Sequence, residues 1–224
     1  MPRLARIVVP DFPHHVTQRG NRRQQTFFSD ADFRLYLSLI STYCAENGVK
    51  IWAYCLMPNH VHLILKPRKA KSLAAALSDA HRCYSRAINF RQGWRGYLWQ
   101  GRFASFPMDG GHVLAAAQYV ELNPVRARLV KTPQDWPWSS ARAHLTGQPD
   151  GVVDPRPLLD MFPQWDEVLE AGLERAAEEA IERSTRTGRP LGSDAFMKEI
   201  ERISGRPVCP KKPGRKPQKL GVGK

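Results

Sequence analysis

Two histidines one residue apart, His60 and His62 in the segment HVHLILK, are the pair best spaced for chemistry in this 224-residue sequence. On an extended strand, alternation turns both imidazoles to one side, about 6 to 7 Å apart along the chain, so that one divalent ion can bridge them. Val61 and Leu63 on the opposite side would anchor the strand in a core and hold the rings still. The same spacing also occurs on solvated or purely structural strands, so the pair needs partners. Tyr119 and Asn123, four residues apart, lie about 40° apart on one helical face. The apolar stripe of that helix centres near Ala117, roughly 160° from Tyr119, which directs the tyrosine away from the core. A phenol there can act as a nucleophile, or it can fill a gap between helix and sheet with its hydroxyl bonded locally.

Periodicity supplies the elements that must hold these residues. Residues 14–21 read as a polar edge strand with Val16 as its main apolar anchor. Ser29 or Asp30 caps a helix carrying Phe33, Tyr36, Leu37, Ile40 and Cys44 at helical spacing, ending near Gly48. Residues 49–57 form a strand, Pro58-Asn59 a turn, and residues 60–66 a strand with Val61, Leu63 and Leu65 on one face. A second helix runs from Ser72 along Leu73, Leu77, Ala80, Tyr84 and Ile88 to Gly93, and a weaker strand lies within residues 99–108. A third helix starts at Asp109 or Gly110, buries Val113, Leu114, Ala117 and Val120, and stops at Asn123-Pro124, because the residue before proline avoids the α region. This β-α-β-β-α-β order plus a helix predicts an α+β, ferredoxin-like split βαβ fold, an antiparallel sheet with helices packed on one face. The pattern changes after residue 145. Residues 164–184 predict one amphipathic helix and residues 193–204 a short one, together a helical extension over 146–204. Residues 205–224, proline-rich and without an acid, predict a disordered basic tail.

Charge is divided as sharply as structure. The chain carries 34 Lys+Arg against 21 Asp+Glu, a formal net charge of +13. Residues 1–145 hold net +12, residues 146–204 net −6, and residues 205–224 net +7. Two basic regions flanking an acidic one favour a polyanionic partner, since Lys and Arg release counterions from phosphates. No run approaches the roughly 18 to 20 apolar residues of a membrane span, and the first residues lack a secretory apolar region, so a cytoplasmic protein with no membrane partner is expected. The four cysteines form no C-x-x-C pair, which disfavours a disulfide scaffold or a thiolate zinc site. No phosphate-binding G-x-x-x-x-G-K-[ST] occurs. The acids of the first 145 residues sit mostly at caps and turns, a poor supply for a two-metal carboxylate site. Arg19, Asn21, Arg22 and Arg23 follow the first strand in a loop suited to phosphate contacts, with Gly20 allowing close approach. Trp99, Gln100 and Arg102 combine a stacking surface with donors, although Trp99 is equally suited to a core. Arg126 and Arg128 follow the tyrosine helix and are read as phosphate clamps or as solvated surface.

Five segments, HVTQRGNRRQ (15–24), MPNHVHLI (57–64), LWQGRF (98–103), YVELNPVRARLV (119–130) and WPWSS (136–140), appear in this order, and GRPLGS (188–193) follows. In them the chain resembles the REP-associated tyrosine transposases, HUH single-strand nucleases with one catalytic tyrosine. The resemblance covers about residues 3–145, which it marks as a catalytic domain, and implies the same ferredoxin-like sheet. It implies that His60 and His62 are metal ligands, Asn123 the third ligand, and Tyr119 the nucleophile. It further implies a Mg²⁺ or Mn²⁺ cofactor and single-stranded or hairpin DNA as substrate, cleaved and rejoined through a 5′-phosphotyrosine. A monomer and a homodimer are both compatible with it. Two other activities share the basic surface or the histidine pair: a hairpin DNA or RNA binding regulator without catalysis, and a metal hydrolase of small phosphoesters.

Overall fold

The computed structural model of the protein describes residues 6–208. Its centre is a four-stranded antiparallel sheet of β1 (His14–Arg19), β2 (Val49–Met57), β3 (His60–Pro67) and β4 (Ala104–Pro107), in the order β2-β3-β1-β4. β2 and β3 are neighbours because Pro58-Asn59 turns the chain directly back, pairing Met57 with His60 and Tyr54 with Leu63. The two crossover helices, α1 (Asp30–Glu46) and α2 (Ser72–Gln92), cover one face. Their stripes close over Val16, Val61, Leu63 and Leu65 in a core that also holds Tyr36, Leu77 and Tyr84. Ser29 and Asp32 form a capping box at the start of α1. Asp32 also accepts two hydrogen bonds from Arg91, which ties the two helices together.

The third helix, α3 (Gly110–Glu121), lies outside the split βαβ unit and packs on the opposite face, over Ala53, Cys55, Ile64 and Phe106. A short helix, α4 (Asn123–Arg126), follows it after Leu122. Beyond this come α5 (Ala141–Thr146), α6 (Arg156–Leu159), α7 (Trp165–Glu170), α8 (Arg175–Thr187) and α9 (Asp194–Ser204). Leu158, Trp165, Leu169 and Ile181 join α3 in the second core, so the extension completes the face that α3 begins. The single helix expected over residues 164–184 is two helices, because Gly172 takes a left-handed φ of 68° that ends the first of them. Residues 205–208 leave α9 in order, and Val208 is buried with Ile7, Val9, Phe196 and Ile200. The rest of the expected basic tail, with Cys209, lies outside the described residues. Cys44 and Cys55 are buried free thiols and Cys83 is partly exposed. Among the described residues no helix is long and apolar enough to cross a membrane.

β1 departs most from expectation. It is not an edge strand but lies between β3 and β4. Its polar residues are tolerated inside because each finds a partner. His14 Nδ1 hydrogen-bonds the Phe12 carbonyl at 2.8 Å, its Nε2 accepts from Val9 N at 3.1 Å, and Gln18 donates to the Gly101 carbonyl. Burial, only partly opposed by the Phe12 bond, lowers the His14 pKa from 6.5 to about 4. His81 of α2 is buried against the Tyr36 hydroxyl, and burial lowers its pKa to about 3. Both are neutral in the folded protein at pH values where the unfolded chain already binds a proton. Their contribution to stability is therefore complete above pH 6.5 and is lost as pH falls toward 4 and 3. Each should cost about 2 kcal/mol between pH 7 and pH 5. The melting temperature is expected to fall over that range, and His81→Gln to flatten the fall. Equal pH slopes for the two proteins would refute the assignment.

Candidate active site

β3 carries His60 and His62 on the α3 face, since Val61, Leu63 and Leu65 take the other. The sheet end that holds them is built by close backbone approach at Gly20. Its φ of −57° is ordinary, so glycine is needed there for space. A Cβ would run into the Gln24 carbonyl and the Thr26 methyl. Gly20 N in turn donates to the Asn59 carbonyl at 2.8 Å, joining the end of β1 to the β2–β3 turn.

A hydrogen bond sets the proton position on His60. His60 Nδ1 lies 2.6 Å from Asn59 Oδ1, and the Asn59 amide nitrogen donates to the Arg23 carbonyl. An amide oxygen only accepts, so Nδ1 carries the proton and Nε2 keeps its lone pair. His62 Nδ1 lies 3.1 Å from Nε2 of His15, a buried residue of β1 diagonal to it in the sheet. Burial first, and Arg19 second, lower the His60 pKa to about 4. Burial, with the neighbouring cationic groups, holds His62 well below 6.5. The rings sit 4.9 Å apart. A neutral imidazole held through Nδ1 keeps Nε2 for a divalent ion; His60 is in that state, and His62 is in it in the tautomer whose Nδ1 donates to His15. Among the described residues no three or more His, Cys, Asp or Glu are placed to hold a metal ion together, so a third protein donor would be a neutral oxygen such as the Asn123 amide.

Tyr119 enters this group from α3. Its ring centroid is 5.4 Å from that of His62 and 5.9 Å from that of His15, edge-on to both. It does not point to solvent as the helical projection suggested. It is half-buried, because the extension covers the outer side of α3 and leaves the tyrosine at the helix edge above the sheet end. The Asn123 amide donates to the Tyr119 carbonyl at 3.1 Å, one turn back. Arg126 stacks its guanidinium 5.0 Å from the Tyr119 ring centre and pairs with Glu178 of α8. Burial raises the phenol pKa and Glu182 adds to this, while the Arg126 charge and hydrogen bonds from Arg126 and Asn123 oppose it; burial wins.

The basic candidates divide into two groups. Arg19 stands opposite His60 in the β1–β3 register. Asn21, Arg22 and Arg23 form a 3-10 turn beside it, with Arg22 and Arg23 in the left-handed region at φ 52° and 61°. Gln100 and Arg102 are exposed on the adjoining loop, which is held to this end by Gln100 N donating to the Arg19 carbonyl at 2.7 Å. Arg126 and Arg128 lie on the tyrosine side, Arg128 also left-handed at φ 58°. Trp99 is a correction. It is 6% exposed and packs among Phe27, Tyr36, Tyr84 and His81, so it is core and not a stacking platform. A cavity of about 330 Å³ lies beside His60, lined also by Gln25, Met57, Pro58, Asn59, Ala127 and Leu129.

Two buried polar residues have roles that local sequence pattern did not assign, His15 in the site and Glu121 in the core beside it. His15 could have been found from the β1–β3 register, which sets it opposite Ile64 and diagonal to His62 on the same face once β1 is taken as central. Glu121 is fully buried and accepts hydrogen bonds from Ser140 Oγ at 2.6 Å, His144 Nδ1 at 2.6 Å and Trp165 Nε1 at 2.9 Å. Its only sequence signal is being the one acid on α3.

Against known proteins, the sequence model of the family described as "Transposase IS200 like" matches residues 9–123, just over half of the chain. A REP-associated tyrosine transposase of Haemophilus influenzae is 26% identical over 108 residues, 43% of this chain and 61% of the relative. The chain thus aligns with about three-fifths of that relative's length. A solved structure of a REP-associated tyrosine transposase bound to a REP hairpin superposes with a TM-score of 0.57 at 20% identity. That match covers 68% of this chain and 90% of the other, and it shows the shared fold.

Proposed function

The chain belongs to the IS200-like transposase family, and on that premise we propose that it cleaves and rejoins single-stranded DNA beside a hairpin, with Tyr119 as nucleophile. The observation that carries this is the 5.4 Å approach of the Tyr119 ring to His62 within one chain. The hairpin part rests on the two relatives, both REP-associated transposases, one of them solved with a REP hairpin.

In this reading the Tyr119 oxygen bonds to phosphorus as the bond from phosphorus to the 3′ oxygen breaks. The phenol gives up its proton and the leaving oxygen gains one, so the products are a 5′-phosphotyrosine and a free 3′-OH. Attack by another 3′-OH reverses the step and joins strands. An ordinary phenol of pKa about 10 is ionised about once in a thousand at pH 7, a deficit of roughly 4 kcal/mol. Burial of Tyr119 enlarges it and Arg126 reduces it. A divalent ion held by His60 and His62, with Asn123 as third donor, would supply Lewis-acid polarisation of the phosphate. Arg19, Arg22 and Arg23 would hold the strand by its phosphates on the other side of the histidines.

His15 has a defined part in this scheme. For His62 to present Nε2 as a ligand, its Nδ1 must donate, and His15 Nε2 is the acceptor. That assignment puts the His15 proton on Nδ1, which is buried and has no partner. His15 is then a positioning residue. His15→Leu should weaken Mn²⁺ binding, read by electron paramagnetic resonance without DNA, about 10- to 100-fold. His15→Gln, whose amide oxygen can accept the same bond, should recover part of it. Unchanged Mn²⁺ affinity in His15→Leu would remove the role.

The function itself is tested by incubating the protein with a labelled hairpin carrying single-stranded flanks. Nicking and a covalent adduct are expected with Mg²⁺ or Mn²⁺ and neither after chelation. The ion pair of Arg126 with Glu178 favours a second reading, hairpin binding without chemistry, because a carboxylate of α8 occupies the cation beside the phenol. Salt-dependent hairpin binding with no nicking under any metal would select it.

A further inference from the structure

The burial of Trp99 leaves the candidate strand-binding surface without a platform for bases, yet three other aromatics lie open nearby. Phe90 is 91% exposed and Tyr97 87%, while Trp94 is 39% exposed and meets Phe28 at 5.7 Å between ring centres. The loop after α2 gathers them. Gly93 at φ 65° and Gly96 at φ 95° turn the chain in ways that other residues resist. Trp94 N donates to the Asn89 carbonyl at 2.8 Å, and the Asn89 amide donates to the Gly96 carbonyl at 2.9 Å. The second bond ties the residue before Tyr97 back to the last turns of α2. Asn21 N donates to the Leu98 carbonyl at 2.8 Å, so this loop adjoins the turn that carries Arg22 and Arg23.

Apolar rings this exposed are costly to keep in water and mark an interaction surface. Their surroundings select the partner. Arg86, Arg91 and Arg95 are interspersed among the rings and exposed. The neighbouring Asp32 carboxyl is buried and bonded to Arg91, Phe28 N and Ser29 N, so it offers little charge outward. A second copy of the chain seated symmetrically here would set arginines against arginines. A strand with phosphates for the arginines and flat bases for the rings fits both features.

We propose that Phe90, Trp94 and Tyr97 form a stacking platform for unpaired bases of a nucleic acid strand, continuous through the 21–23 turn with the His60 side of the active site. The proposal rests on the reading of the protein as a single-strand DNA transposase, and assigns the platform to the unpaired flank, not to the hairpin stem. Phe90→Ala, Tyr97→Ala and Arg95→Ala are compared with the unaltered protein on three probes: a blunt hairpin, the same hairpin with an unpaired flank, and an unstructured single strand. Each aromatic variant should bind the flanked hairpin and the single strand at least about fivefold more weakly and the blunt hairpin unchanged. The dependence of binding on salt should stay the same in the aromatic variants and diminish in Arg95→Ala. No loss on any probe, an equal loss on the blunt hairpin, or a change in oligomeric state on sedimentation would overturn the platform. If the unaltered protein neither prefers hairpins nor nicks them, while the aromatic variants still lose single-strand binding, the platform stands and the hairpin reading fails.

Discussion

Tyr119→Phe is expected to abolish the covalent protein–DNA adduct and lower nicking by at least about a thousandfold, while hairpin affinity stays within about threefold. The substitution removes one oxygen and keeps the ring that stacks edge-on against His62 and His15 and lies under Arg126. Packing at the end of α3 is therefore preserved, and so is the stacking of Arg126 on the ring. A structural tyrosine would behave differently, since loss of its hydroxyl would lower stability and leave turnover in proportion to the folded fraction. Adduct formation on a denaturing gel, hairpin affinity and melting temperature separate the two. Persistent adduct in the phenylalanine variant would end the assignment of Tyr119 as nucleophile.

Glu121→Ala should be severely destabilising, at about 3 to 5 kcal/mol, with a melting temperature lower by about 6 to 20 °C. The carboxyl ties together Ser140 at the end of the WPWSS segment, His144 on α5 and Trp165 on α7, and all three donors would be left buried without it. Glu121→Gln, which keeps one carbonyl acceptor, should lose less. A shift below about 1 kcal/mol in Glu121→Ala would show that the surrounding apolar contacts hold α3 unaided. Through this residue the extension is coupled to Tyr119, which α3 bears two residues earlier. Removing residues 146–208 would strip Leu158, Trp165, Leu169 and Ile181 from the second core. Substitutions at Glu178, which pairs with Arg126, are thus the cleaner probe of α8.

Much was legible from local pattern. β2, β3, α1, α2 and α3 follow from alternation and helical spacing, which depend on each segment's own side chains. His60 and His62 could be found because strand geometry alone sets them on one face. The juxtaposition of Tyr119 with His62 was accessible only through resemblance, since no spacing in the chain encodes which face of the sheet α3 covers.

The amino-acid order by itself determined the elements, the paired histidines and the uneven charge, because all are properties of short stretches. Tertiary structure alone decided that β1 is central, that His15 stands against His62, that Glu121 gathers three donors, and that Trp99 is buried while Phe90 and Tyr97 are not. Each of these depends on partners distant in sequence, and a polar side chain is stable inside only when such a partner is brought to it.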